Sequence, residues 1–96
     1  MNLRRAARVD ANQPDIVRQL RKLGALVVHL GHPVDLLVFL HGRWMAIEIK
    51  DPSQPPSKRE LTDDQKQFFA DCRQHGAPVA VCETVDDVLL AFRVHM

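Results

Sequence analysis

Residues 47–51 read IEIKD, so Glu48 and Lys50 stand two positions apart inside an otherwise apolar run. In an extended strand both side chains project from one face, while Ile47 and Ile49 project from the other. A two-residue turn at His41–Gly42 pairs Leu40 with Arg43 and sets Asp35 directly across from Glu48. Partners of that kind have Cβ atoms roughly 4.5–5.5 Å apart. Two carboxylates at such range repel, and a divalent cation between them removes the conflict. Magnesium is commonly held by one or two carboxylates, with water and substrate phosphate completing its shell. An ion so placed polarises a phosphoryl oxygen and lowers the pKa of a bound water. Lys50 would orient that water or offset charge growing on the phosphate. The chemistry this trio suits is metal-assisted phosphodiester hydrolysis. By spacing alone, an exposed strand face with ordinary cross-strand ion pairs is the more economical explanation. The setting of the three residues therefore matters.

The elements that must position them follow from periodicity and breakers. NQPDIVRQLRKLG reads as a helix, with Asn12 or Gln13 as cap, Pro14 in the first turn and Gly24 as the stop. Its Ile16, Val17, Leu20 and Leu23 share one face. ALVVHL (25–30), VDLLVFL (34–40) and RWMAIEIK (43–50) read as three strands, the last two joined by HG at 41–42. A long proline-bearing loop, DPSQPPSKREL, spans 51–61. TDDQKQFFADCRQHG is a helix capped by Thr62 and stopped by Gly76, PVAVCE a fourth strand, and TVDDVLLAF a closing helix capped by Thr84. The order is α-β-β-β-α-β-α. Three consecutive strands predict an antiparallel meander, and strand, helix 62–75 and strand 78–83 predict a crossover with parallel strands. The expected fold is one mixed sheet flanked by helices.

Composition narrows the class without choosing within it. Hydrophobic residues make up 46% and charged residues 26% of the 96, and the net charge is +1, as in an ordinary soluble globular protein of one domain. No run reaches the roughly 20 apolar residues of a membrane span, and the opening residues do not read as a signal peptide. A cytoplasmic protein is expected, with Cys72 and Cys82 reduced. Basic residues cluster at Arg4, Arg5 and Arg8, along the first helix at Arg18, Arg21 and Lys22, and in the long loop at Lys58 and Arg59. Each cluster is either a phosphate contact or a solvated surface.

With these residues in view, the chain resembles a known family. VDLLVF followed by IEIK is similar to the Asp…Glu-x-Lys motif of the PD-(D/E)xK nuclease superfamily, whose restriction-endonuclease-like core is αβββαβ. DANQPDIVRQLRKLGA, GHPVDLLVF, IEIKDPSQPPSKRELTDDQ and GAPVAVCETVDDV together resemble the VRR-NUC family, from about residue 8 to residue 92. That resemblance implies a single Mg²⁺-dependent nuclease domain over 1–96, with Mn²⁺ as substitute. Asp35 and Glu48 would be metal ligands, the backbone carbonyl of Ile49 a third, and Lys50 the catalytic lysine. Asp15 matches the family's first-helix acid, and Gln65 its glutamine after the catalytic strand. Where relatives carry Pro-Asp, this chain reads PVD, with Val34 in the proline's place. Stand-alone members, common in phages and bacteria, look like homodimers that resolve Holliday junctions, so branched DNA is the implied substrate. Flap or non-specific cleavage is the alternative, and a DNA-binding module without catalysis is the rival from another class.

Several supporting residues have second explanations. Thr62-x-x-Gln65 is also a capping box, and Asp15 also a favourable charge at a helix start. His29 and His32 lack the further ligands that zinc requires. Phe39 and Trp44 pair across the hairpin, where core packing is the expectation. Phe68 and Phe69 are core or dimer-contact residues. Lys58 and Arg59 are the expected phosphate contacts in the loop, with Arg4 and Arg5 on the arm.

Overall fold

The computed structural model describes residues 9–95. Its elements are α1 (Gln13–Lys22), β1 (Leu26–His29), β2 (Leu36–Leu40), β3 (Arg43–Ile49), α2 (Asp63–His75), β4 (Val79–Cys82) and α3 (Val85–Val94), with one 3-10 turn at Pro56–Lys58. The sheet order is β1-β2-β3-β4. β1, β2 and β3 form the antiparallel meander, and β4 lies parallel to β3. This is the expected α/β order and the expected mixed sheet.

The β2–β3 hairpin sets the register of the site. His41 and Gly42 both take positive φ, 54° and 77°, the left-handed pair that a tight two-residue turn demands. Leu40 therefore opposes Arg43, and the ladder runs back to Leu36 opposite Ile47. One residue further, Asp35 and Glu48 face each other beyond the end of the ladder. A slip of one residue would put the two carboxylates on opposite faces, one of them toward the apolar core, so the turn residues decide where the charges go.

Alternation divides the sheet into two faces. Leu36, Val38, Met45, Ile47 and Ile49 are almost fully buried with Ile16, Val17 and Leu20 of α1 and Val88 and Phe92 of α3. The opposite face carries a smaller cluster of Val34, Ala46 and Phe69, under α2. Val34 is only 1% exposed, which gives the departure from Pro-Asp a packing role. α2 covers that face incompletely. Phe39 and Trp44 do pair across the hairpin, but they stand 37% and 43% exposed rather than packed in a core. Phe69 is buried, and Phe68 meets it edge to face at 6.3 Å.

Local chemistry holds the helices in place. Thr62 and Gln65 form a reciprocal capping box at the start of α2, and Gly76 ends it in the left-handed region. Thr84 caps α3 by accepting from the Asp87 amide. Asn12 does not cap α1 with its side chain. Its Nδ2 donates instead to the carbonyls of Lys50 and Glu83, each at 2.9 Å, tying the start of α1 to the ends of β3 and β4. Both cysteines are free and buried, and burial pushes the Cys82 thiol up to about 12.

Candidate active site

Asp35 leads into β2, and Glu48 lies near the end of β3, on the sheet face that α2 covers only in part. Asp35 is fixed twice. Its carbonyl accepts from the Leu30 amide at 2.8 Å, and its Oδ2 accepts from the Ile49 amide at 2.7 Å. Glu48 is 6% exposed, and among the described residues no group hydrogen-bonds its buried Oε1. Its other oxygen, Oε2, lies 3.3 Å from Lys50 Nζ, and that ammonium also donates to the Glu60 carbonyl at 3.3 Å. The end of the long loop thus holds the lysine beside the carboxylate.

The electrostatics follow from burial and repulsion. Desolvation, and then the nearby Asp35 charge, push the Glu48 carboxyl from 4.5 up to about 7, with Gln65 and Lys50 pulling it down. Burial also raises Asp35, assisted by Asp10, against the opposing pull of the Ile49 amide. Glu48 thus resists ionising because it is buried beside Asp35, and Asp35 because it is buried near Asp10.

Hard oxygen donors, mutual repulsion and a buried oxygen without a partner are what a divalent cation would relieve, so these residues fit such an ion. Among the described residues no three His, Cys, Asp or Glu side chains gather to enclose one. The two carboxylates would need the Ile49 carbonyl, water or substrate oxygen to complete a shell, as magnesium sites usually do.

The remaining expected site residues separate. Gln65 reaches the site while capping its helix. Its Oε1 accepts from the Thr62 amide, its Nε2 donates to the Pro33 carbonyl at 3.2 Å, and its amide lowers the Glu48 pKa. Asp15 does not reach it. That carboxylate is exposed on α1 and engaged by Arg18 and Gln19. Asp10, two residues ahead of the cap, sits at the site instead and is close enough to act on Asp35. The signal was present in VDAN, but a helix-based reading looks inside the helix rather than before it. Lys58 lines the same cleft, of about 740 Å³. Arg59 faces Glu83 at 3.4 Å instead, so among the described residues of the loop Lys58 is the basic side chain that lines the cleft. Arg4 and Arg5 lie outside the described residues. No described helix is long and apolar enough to cross a membrane.

Comparison with known proteins agrees with this geometry. No curated protein matches the chain. A solved structure described as a VRR_NUC domain is similar at 25% identity and a TM-score of 0.59, covering 84% of this chain and 89% of the other. The profile of the VRR-NUC domain matches residues 7–86, which take in Asp35, Glu48, Lys50 and the helices on both sides of the sheet. The chain belongs to the VRR-NUC family, nucleases of the PD-(D/E)xK type.

Proposed function

We propose that the protein is a Mg²⁺-dependent endonuclease that cuts branched DNA, with a four-way junction as its substrate and a homodimer as its working form. The observation that carries the catalytic part is Glu48. A carboxylate this buried, with one oxygen unpartnered and Asp35 opposite, is costly unless a cation completes it. Asp35, Glu48 and the Ile49 carbonyl would hold the ion, with Mn²⁺ an acceptable substitute. When bound, the ion supplies Lewis acidity toward a phosphate oxygen and a more acidic water.

The chain's own residues do the rest. Lys50, fixed between Glu48 and the Glu60 carbonyl, presents a positive charge to the scissile phosphate and orients the attacking water. Gln65 holds the Glu48 side of the site while anchoring the first turn of α2. Asp10 takes the part that Asp15 had in the sequence-based expectation. Lys58 reaches the flanking phosphate from the loop.

Dimer formation draws support from the uncovered sheet face. Leu26 and Val28 on β1 adjoin Phe39 and Trp44, and all four are exposed, from 37% to 60%. A contiguous apolar strip of that kind suits a self-associating surface.

Cleavage in Mg²⁺ and in EDTA, on a labelled four-way junction, a 5′ flap and plain duplex, tests the proposal. Paired symmetric nicks on the junction, lost in EDTA and in Lys50→Ala, are the expected result. Equal cutting of flap and duplex would remove the junction preference while keeping the nuclease. No cutting of any substrate would leave a binding module.

A further inference from the structure

The catalytic cleft is a poor place to gain affinity for DNA. It is lined by Asp10, Asp35, Glu48, Asp51 and Glu60 against Lys50 and Lys58: five carboxylates and two ammonium groups, a formal excess of three negative charges. One divalent ion leaves that sum negative. A phosphate backbone is therefore held near this cleft only if attraction comes from outside it, since cation contacts to phosphate supply most of the sequence-independent affinity.

A second groove of about 580 Å³ adjoins it. Val9, just ahead of α1, lines both, so the two openings meet at that residue. Arg18, Arg21 and Lys22 from α1 and His29 from β1 line this groove beside Val9, Pro14 and Val17, and among the described residues no carboxylate does. Arg21 is held in place by donating to the Val27 carbonyl at 3.2 Å. Arg18 is paired with Asp15, which stands outside the groove. That exposed pair is worth little and is easily exchanged for a phosphate. This also accounts for the basic residues of the first helix, which the catalytic site does not use.

We infer that the groove between α1 and β1 is a phosphate-backbone track for a duplex DNA arm, which passes Val9 and delivers the scissile strand to the acidic cleft. The inference rests on the nuclease reading and adds where the substrate is gripped. The groove supplies affinity and the cleft supplies chemistry, with the charge signs of the two surfaces opposed.

Binding is read in EDTA, so no strand is cut and the result is independent of whether the site cleaves. Fluorescence anisotropy with a labelled duplex and with a four-way junction gives Kd across a salt series. In Arg18→Ala with Lys22→Ala, the slope of log K against log salt falls by about 2, at ~0.9 per lost phosphate contact. At 0.1 M salt the affinity drops by about tenfold or more. Arg18→Lys with Lys22→Arg keeps the charge and retains the wild-type slope, which a merely structural role of these side chains would not predict. Arg18→Gln with Lys22→Gln repeats the loss, should the alanine pair prove poorly folded. An unchanged slope and Kd in both neutralised proteins would overturn the inference.

Discussion

Glu48 is the residue whose environment most constrains the protein. Its carboxyl titrates at about 7 when folded, against an ordinary 4.5. Below 4.5 both folded and unfolded chains keep the proton. Between 4.5 and 7 the unfolded chain releases it first, so stability falls as pH rises, and above 7 the loss is complete. Metal-free protein should therefore lose thermal midpoint across that window, and Glu48→Gln should flatten the decline and melt several degrees higher at pH 8 in EDTA. Calorimetry across the pH series checks this. Mn²⁺ should restore the wild type and do little for the variant, since a ligand at 100 times its Kd adds about 2.7 kcal/mol.

Asp35 separates structure from chemistry. Asp35→Asn keeps an oxygen for the Ile49 amide, whereas Asp35→Ala leaves that amide unpaired. Both should lose cleavage. Only the alanine variant should also lose about 1–3 kcal/mol of stability in urea unfolding.

At the level of elements, the site depends on where three segments end together. Asn12 spans two carbonyls, one following β3 and one following β4. Asn12→Ala should cost about 1–3 kcal/mol and lower kcat through Lys50 more than it raises KM. Hydrogen exchange should locate the loosening at the ends of those two strands. Much of this level was legible in the sequence, because each decisive feature is local. His41–Gly42 names the turn, the turn sets the register, and the register brings Asp35 to Glu48. Thr62 and Gln65 announce the start of α2 three residues apart. What stayed hidden is non-local. Asp10 rather than Asp15 lines the cleft, because residues 9–11 ahead of α1 border it while the Asp15 carboxylate is engaged by Arg18 and Gln19 on the helix. Arg59 pairs with Glu83, 24 residues away, and does not line the cleft. Phe39 and Trp44 were expected in a core because alternation identifies a face but not how far a helix extends over it.

The described residues measure about 32 × 31 × 30 Å. A body of that size spans less than one duplex turn, about 34 Å, and its described residues hold one candidate catalytic site. Cutting two strands of a junction in step therefore requires a second copy. Phe39→Lys with Trp44→Glu places opposite charges across the hairpin and should lower the thermal midpoint only by the concentration-dependent part that association of two copies adds, because both side chains are exposed on the single chain. The same variant should sediment as a monomer where the wild type sediments as a dimer. Its cleavage should change from paired to single nicks.

The loop from Asp51 to Leu61 has a property that its position makes useful. Its beginning is fastened by the Asp51 carboxylate, which accepts from the Ser53 amide and hydroxyl, and its end by the contact between Lys50 and the Glu60 carbonyl. Residues 52–58 between these fasteners are all exposed. With both ends held by their own bonds, length in the middle is nearly free, since doubling a flexible loop costs only about 0.6 kcal/mol. An insertion between Gln54 and Pro55 would stand at the rim of the cleft without disturbing the residues below. A scaffold this small thus carries a port where added sequence can reshape substrate choice while the catalytic floor stays constant.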